Sequence, residues 1–269
     1  MPSSGTEAPG RSRRSAWHLW LDLTPRPGAL NMAIDQALLE RAGRRDERWL
    51  RLYRWRPHCL SFGRHEQALR RYDRSRIEAA GLDVVRRPTG GRAVWHAGEL
   101  TYAVAMPVAA LSGVRAAYLE IHRVLLRGLH ALEIDAALAP ASPVPGLGTG
   151  ACFARAVGGE ILVGGRKVVG SAQVREGGGL LQHGSVLLRD DQAMVGAVTR
   201  GEPAADGSAP LERVLGRSLP ARAVARAIAT AAAAHWAAEW TETGGDAALL
   251  DEAGRHRARF SSEAWTWRG

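Results

Sequence analysis

The 269-residue chain is 46% hydrophobic and 23% charged, a composition typical of a globular protein with a sizeable core. It has no run of about 18 consecutive apolar residues, so no transmembrane helix is predicted. Its two cysteines, Cys59 and Cys152, are too few for a disulfide framework or a structural zinc site. The net charge of +9 is spread along the chain rather than gathered in one block, so we expect no nucleic-acid interface.

The first 15 residues are rich in Ser, Gly, Pro and Arg and lack the apolar run of a secretory signal. We therefore predict a disordered tail over residues 1–15, a single domain over residues 16–269, a cytoplasmic location and no membrane association.

Strands and helices are predicted to alternate through the first half of the chain. Alternating apolar residues predict a strand over Trp17–Leu23, and apolar residues spaced three and four apart predict a helix over Ala29–Ala42, capped by Gly43. The elements predicted next are strands over Leu50–Trp55 and Cys59–Phe62, a helix over Arg74–Ala80, a strand at Val84-Val85, and a hairpin formed by Ala93–His96 and Leu100–Met106.

The second half begins with a predicted helix over Gly113–Leu132, followed by a Pro/Gly/Ala connector over Ala139–Gly150. The remaining predicted elements are strands over Glu160–Val163, Lys167–Ser171 and Leu180–Leu188, an Ala-rich helix from Leu219 to about Trp240, and a tail that packs back through Phe260, Trp265 and Trp267. These elements indicate an α+β fold with a single mixed, largely antiparallel sheet flanked by helices.

The segment Arg86-Arg87-Pro88-Thr89-Gly90-Gly91 is the clearest candidate for a binding loop. Gly90 and Gly91 allow backbone N–H groups to approach a ligand closely, and Arg86 and Arg87 offer forked donors for an anion or a carbonyl oxygen. Strands are predicted on both sides of the loop, which excludes a Rossmann fingerprint and a P-loop, because both of those open a helix.

Three further candidates lie downstream. Lys167 follows a Gly-Gly turn and is either a solvated hairpin lysine or a side chain that points inward. Gly170-Ser171-Ala172 places small residues in a strand, which indicates the close approach of a ligand or of another backbone. His96 and His183 are each either buried core histidines or substrate contacts.

Together these segments resemble the lipoate-attachment family of acyltransferases and ligases. The resemblance rests on Arg-Arg-x-Thr-Gly-Gly at Arg86–Gly91, Lys-x-x-Gly-Ser-Ala at Lys167–Ala172 and Gln-His-Gly-Ser at Gln182–Ser185, with weaker matches at Asn31–Asp35, Ser61–Arg64 and Phe260–Trp265. It implies a catalytic domain similar to biotin protein ligases and class II aminoacyl-tRNA synthetases. It also implies transfer of an octanoyl or lipoyl group to a lysine of a lipoyl domain.

Within that family, Ala151-Cys152-Phe153 resembles the octanoyltransferases that carry the acyl group on a cysteine, and the Asn-Asp pair typical of the ATP-dependent ligases is absent. The resemblance implies that Cys152 and Lys167 are catalytic, that octanoyl acyl carrier protein is the donor, and that no metal or cofactor is needed. It implies acceptors such as the glycine-cleavage H protein. The substrate-binding residues it implies are Arg86, Arg87, Thr89, Gly90, Gly91, His96, Gly170, Ser171, Ala172, His183 and Gly184.

Cys59 is expected to be a buried structural thiol, and His96 or His183 is the candidate base for the acceptor lysine. Three alternatives stay open. The first is an amidotransferase that takes octanoyl from the H protein, the second is an ATP-dependent lipoate–protein ligase, and the third is a binding protein that has lost activity.

Overall fold

The computed structural model describes residues 16–140, 159–202 and 207–268. The predicted disordered tail, most of the Pro/Gly/Ala connector and Cys152 lie outside these residues. None of the described helices combines the length and the apolar character needed to span a membrane.

The described strands form three sheets. The largest has six strands in the order β10 (Val169–Glu176), β11 (Gly179–Leu187), β6 (Glu99–Pro107), β2 (Arg48–Trp55), β1 (Ala16–Arg26) and β12 (Glu239–Glu242). Its first three pairings are antiparallel and its last two are parallel. One three-stranded sheet contains β4 (Asp83–Arg86), β3 (Cys59–Phe62) and β5 (Val94–His96), and the other contains β7 (Ala136–Leu138), β8 (Ile161–Val163) and β9 (Arg166–Lys167).

Helices cover both faces of the large sheet. Helices α1 (Gly28–Arg45) and α8 (Ala247–Phe260) share one apolar core with one face, while α4 (Val114–His130) and α7 (Ala221–His235) share a second core with the other face. The shorter helices are α2 (Ala68–Arg71), α3 (Arg74–Ala79), α5 (Ala193–Val198), α6 (Leu211–Leu215) and α9 (Glu263–Thr266). Strand β2 shows the division, because alternate residues of a strand point to opposite faces: Leu50 and Leu52 join the α4–α7 core, and Trp49 and Tyr53 join the α1–α8 core.

The predicted mixed α+β class is confirmed, but the strands do not form the single sheet that was expected. The predicted hairpin of Ala93–His96 and Leu100–Met106 is also wrong, because its two strands belong to different sheets. Strand β5 pairs with β3, whereas β6 pairs with β2 and β11, so Ala97-Gly98 carries the chain from one sheet to the other. The connection is fixed at Gly98, whose carbonyl oxygen accepts a hydrogen bond from the Arg189 amide at 2.8 Å.

The predicted cap at Gly43 is also wrong. Helix α1 continues to Arg45, and Asp46 is the left-handed C-cap residue with φ of 57°. Gly43 lies inside the helix, at a point where the turn between β10 and β11 packs directly on it and leaves no room for a side chain. A Cβ at Gly43 would lie 2.1 Å from the carbonyl oxygen of Gly177.

The C-terminal aromatic residues pack back as predicted, with Phe260 1% and Trp267 8% exposed. Asp246 caps the N-terminus of helix α8, and its carboxylate accepts a hydrogen bond from the Leu249 amide. This helix and strand β12 were not predicted.

Candidate active site

A cavity lies where β10 and β11 meet the small β3–β4–β5 sheet and the glycine loop. With its opening to solvent it encloses about 320 Å³ of empty space. The described residues that line it are Tyr53, Trp55, Arg87, Val94, His96, Thr101, Gly170, Ser171, Ala172, His183, Gly184 and Ser185. The walls combine aromatic and aliphatic carbon with a few hydroxyl and imidazole groups, as in sites for small molecules with an apolar tail and a polar head.

Arg87 shapes the glycine loop from inside. Its Nη1 donates to the carbonyl oxygen and the hydroxyl of Ser61 at 2.8 and 2.7 Å, and its Nη2 donates to the carbonyl oxygens of Gly90 and Arg92 at 3.0 and 2.9 Å. Gly91 has φ of 94°, a conformation that favours glycine. Arg87 therefore holds the turn closed while one side of its side chain borders the cavity.

Arg86 points the other way and is fully buried. Its guanidinium nitrogens donate to six backbone carbonyl oxygens at 2.7–3.3 Å, those of Gly63, Arg64, Glu66, Trp265, Thr266 and Arg268. Burial lowers the pKa of Arg86 to about 10, so the group stays charged at neutral pH. Arg86 is not among the described residues that line the cavity; it binds the C-terminal segment to the base of the loop.

His183 links the loop to the core of the large sheet. Its Nε2 lies 2.6 Å from the Thr89 hydroxyl and its Nδ1 lies 2.8 Å from Oδ2 of Asp35. Because a carboxylate only accepts, Nδ1 carries the proton and Nε2 accepts from Thr89. Asp35 also accepts from Arg51 at 2.9 Å and from the Tyr53 hydroxyl at 2.8 Å. Burial lowers the pKa of His183 and so favours the neutral ring, although the charge and hydrogen bond of Asp35 act in the opposite direction.

His96 is held in the same manner. Its Nε2 lies 2.6 Å from the Ser61 hydroxyl and its Nδ1 lies 2.7 Å from Oε1 of Glu99. Its ring stacks on Trp55 with centroids 3.9 Å apart. Both ring nitrogens of His96 and of His183 are therefore bound to protein atoms, which leaves only their ring edges and faces for a ligand.

The Ser171 hydroxyl makes a third hydroxyl–imidazole contact, with His122, a residue that the sequence motifs did not indicate. The Ser171 hydroxyl lies 2.8 Å from Nε2 of His122 and accepts from the Tyr102 hydroxyl at 2.6 Å. Nδ1 of His122 lies 2.6 Å from the carbonyl oxygen of Gly159 and must donate to it. Burial lowers the pKa of His122 to about 4, so its ring is neutral at physiological pH.

The small residues beside Ser171 let two strands pack tightly. A Cβ at Gly184 would lie 2.2 Å from the carbonyl oxygen of Gly170, 2.7 Å from the Ser171 hydroxyl and 2.9 Å from the Tyr102 ring. Glycine at position 184 is thus required by the contact between β10 and β11 at the cavity wall.

Lys167 points inward, as the functional interpretation requires. It is 3% exposed, and its Nζ donates to Oε1 of Glu160 at 2.6 Å. Lys167 is close enough to His122 for its charge to contribute to the lowered pKa of that ring. Its position relative to Cys152 lies outside the described residues. Cys59, by contrast, is fully buried, and burial raises the pKa of its thiol well above the usual range.

The structure brings seven of the predicted site residues to one cavity: Arg87, His96, Gly170, Ser171, Ala172, His183 and Gly184. Thr89, Gly90 and Gly91 support it through the contacts of His183 and Arg87. Substrate contact by these residues stays a prediction. Among the described residues, no group of three or more His, Cys, Asp or Glu side chains is placed to hold a metal ion.

The family described as the lipoyl protein ligase A/B catalytic domain matches residues 27–233, which include every described residue that lines the cavity. The octanoyltransferase LipM of Symbiobacterium thermophilum is 45% identical over 183 residues, or 65% of this chain and 66% of that protein. The octanoyltransferase LipM of Exiguobacterium sibiricum is 44% identical over 182 residues, or 61% of this chain and 63% of that protein. The matched part of the chain thus spans just under two thirds of the length of each relative.

Solved structures agree with the fold. A lipoate-protein ligase A bound with ATP superposes with a TM-score of 0.79 at 21% identity, covering 94% of this chain and 98% of that chain. A lipoate protein ligase from T. acidophilum with bound lipoic acid gives 0.76 at 21% identity, covering 94% and 99%. At this identity the likeness establishes the architecture and nothing finer. The match over residues 27–233 and the identity to the two LipM proteins show that the chain belongs to the lipoyl protein ligase A/B catalytic domain family.

Proposed function

We propose that this protein transfers an octanoyl group from octanoyl acyl carrier protein to a lysine of a lipoyl domain, through a thioester on Cys152. The observation that carries the proposal is the 44–45% identity to relatives named octanoyltransferase. The cavity supports it, because its lining includes the apolar side-chain carbon of Tyr53, Trp55 and Val94 as well as hydroxyl and imidazole groups. Each buried methylene of an acyl tail contributes about 0.8 kcal/mol.

The proposed reaction has two steps. The Cys152 thiolate attacks the thioester carbonyl of the donor, and the carrier thiol leaves. The acceptor amine then attacks the Cys152 thioester, and the thiol of Cys152 is released. Since a thioester is exchanged for a thioester in the first step, no ATP is needed.

Lys167 has the properties that the first step needs. A thiol with a pKa of about 8.5 is mostly protonated at neutral pH, and a nearby cation favours the thiolate. The Lys167 ammonium is buried and held by Glu160, so its position is fixed before substrate binds. In the proposal it stabilises the Cys152 thiolate and the oxyanion that forms on the carbonyl.

Charge also fits the proposed partners. A basic protein with a net charge of +9 attracts acidic carrier and lipoyl domains over long range. The rate at low substrate concentration is therefore expected to fall as salt rises, since screening shortens the range of the attraction.

The test compares three donors with the purified protein: octanoyl acyl carrier protein, octanoylated H protein, and octanoate with ATP. Intact mass is measured for the enzyme and for an acceptor lipoyl domain. The proposal expects modification with the first donor and an octanoyl adduct on the enzyme. Modification only with the second donor indicates the amidotransferase, and modification only with the third indicates the ligase.

Cys152→Ala and Cys59→Ser form a matched pair for the intermediate. Cys59→Ser is expected to keep the octanoyl adduct, because Cys59 is buried away from solvent. Full transfer by Cys152→Ala would refute the thioester mechanism at Cys152. Loss of the adduct in Cys59→Ser but not in Cys152→Ala would place the thioester on Cys59 instead.

A further inference from the structure

Three histidines around the cavity each bind a hydroxyl group, and the three differ in what that hydroxyl faces. His96 accepts from Ser61 and His183 accepts from Thr89, and neither hydroxyl residue is among the described residues that line the cavity. Ser185 does line the cavity and lies 3.4 Å from Nδ1 of His96, but its hydroxyl donates to Oε1 of Glu99 at 2.9 Å and so does not pass its proton to that ring. His122 binds Ser171, which does line the cavity. Of these three pairs, the Ser171–His122 pair is therefore the one whose hydroxyl borders the space that a substrate would occupy.

The hydrogen bonds of this pair have a fixed direction. Tyr102 donates to Ser171, because the Tyr102 oxygen itself accepts from the side-chain amide of Gln182 at 2.8 Å. Ser171 then donates its single proton to Nε2 of His122, whose Nδ1 proton is committed to the carbonyl oxygen of Gly159. A hydroxyl oxygen has two lone pairs, and Tyr102 uses one of them. Among the described residues no donor occupies the second lone pair, which can accept a proton from a group in the cavity.

The imidazole of His122 is also rigidly placed. It is fully buried on helix α4, and its ring packs against Tyr118 with centroids 4.1 Å apart. With Gly159 on one nitrogen and Ser171 on the other, the ring has one tautomer and one orientation. Such an arrangement suits a group that must receive a proton at a defined atom.

We propose that Ser171 and His122 form a proton relay for the attack of the acceptor lysine. The inference rests on the acyl transfer proposed above. As the amine nitrogen bonds to the acyl carbon, its surplus proton passes to the Ser171 oxygen, and the Ser171 proton passes to Nε2 of His122. The carbon–sulfur bond to Cys152 then breaks, and the proton returns through Ser171 to the departing thiolate. The net change is one amide formed, one thioester cleaved and one thiol restored.

The relay needs only a weak base. An amine becomes far more acidic once its nitrogen is bonded to the carbonyl carbon, so a neutral imidazole is a sufficient acceptor at that stage. His122 is neutral at physiological pH because burial lowers its pKa. The positive charge of Lys167 nearby favours prompt return of the proton.

The test uses His122→Gln, Ser171→Ala and the double variant, with His130→Gln as the matched control. His130 lies on the same helix and binds the carbonyl oxygen of Ala136 through Nε2 at 2.7 Å. Both single variants are expected to lower kcat for transfer to the lipoyl domain by roughly 100-fold or more, with the acceptor KM unchanged. His130→Gln is expected to stay within about twofold of wild type.

Two readouts test the relay. The double variant should be no slower than the slower single variant, because both changes break one chain; multiplied defects would mean that the two residues act separately. An acceptor whose target lysine is replaced by the less basic S-aminoethylcysteine should show a smaller defect in His122→Gln than the lysine acceptor does.

The outcomes are distinct. Suppose that the wild-type protein transfers the acyl group. The relay alone is then overturned if the His122→Gln rate stays within about twofold of wild type, or if the defects multiply in the double variant. No transfer by wild type with any donor overturns the proposed function and the relay with it. If His122→Gln does not fold, Ser171→Ala carries the test, because it removes a single oxygen at the cavity wall, and Ser171→Thr is then expected to restore transfer.

Discussion

Arg51 lies at the centre of a buried charge network beneath the cavity. It is fully buried in strand β2, between Asp22 and Asp35, which are 2% and 0% exposed. Its guanidinium donates to Asp22 at 2.7 and 3.2 Å, to Asp35 at 2.9 Å, and to the side-chain and backbone oxygens of Asn31 at 2.7 and 3.2 Å. Arg51→Met keeps an unbranched apolar stem and removes the charge and all five hydrogen bonds.

The expected cost follows from what the change leaves behind. Asp35 would keep its bonds to Tyr53 and His183, and Asp22 would keep Arg26, but the cation between the two carboxylates would be gone. Removing one partner of a buried ion pair costs about 3–5 kcal/mol, because the remaining charge stays desolvated. At about 2–4 °C per kcal/mol for a protein of this size, the melting temperature should fall by roughly 6–20 °C.

The assay is urea unfolding followed by tryptophan fluorescence, together with calorimetry at the same pH. Arg44→Met is the matched control: Arg44 is 72% exposed and forms a surface pair with Glu40, which is expected to contribute no more than about 0.5 kcal/mol. A loss of unfolding free energy below about 1 kcal/mol in Arg51→Met would refute the account of a buried network that depends on its central cation.

Three more predictions follow from single contacts. Gly184→Ala should abolish transfer and lower stability, since its Cβ would lie 2.2 Å from the Gly170 oxygen and 2.7 Å from the Ser171 hydroxyl; normal activity would show that the β10–β11 contact is not needed. Cys59 should resist iodoacetamide at pH 8 in the folded protein and react in guanidinium, because burial raises the pKa of its thiol; rapid native alkylation, read by peptide mass, would contradict this. Arg86→Lys should lower the free energy of unfolding by about 3 kcal/mol and speed tryptic cleavage of the C-terminal segment, because three ammonium donors cannot replace a planar guanidinium that meets six carbonyl oxygens. An unchanged cleavage rate would argue against this clamp, by which Arg86 holds the C-terminal segment.

The sequence motifs located the cavity because family residues that are distant in the chain fall on strands that meet there. They did not separate the two arginines of the loop. Arg86 and Arg87 read as one basic pair, yet adjacent residues of an extended chain point in opposite directions. Arg87 borders the cavity, and Arg86 binds the C-terminal segment. The alternation of side chains in a strand was the signal that would have separated them.

His122 was missed for a different reason. It lies on the apolar face of a predicted helix, where a histidine reads as core, and its partners Gly159 and Ser171 are 37 and 49 residues away. Such pairings depend on tertiary packing that no local pattern encodes. Arg51 and Asp35 did leave a signal, since each is a charged residue at an apolar position of its element, and a charge there requires a buried partner.

The clamp on Arg86 also bears on how the protein is made. Three of the six carbonyl oxygens that bind its guanidinium come from residues 265–268, about 180 residues later in the chain. At 5–20 residues per second, the ribosome produces them roughly 10–35 s after Arg86 itself. During that interval the guanidinium beside the glycine loop has only half of its partners. The hydrogen bonds that tie the C-terminal segment to Arg86 are thus completed only after residues 265–268 have been synthesised.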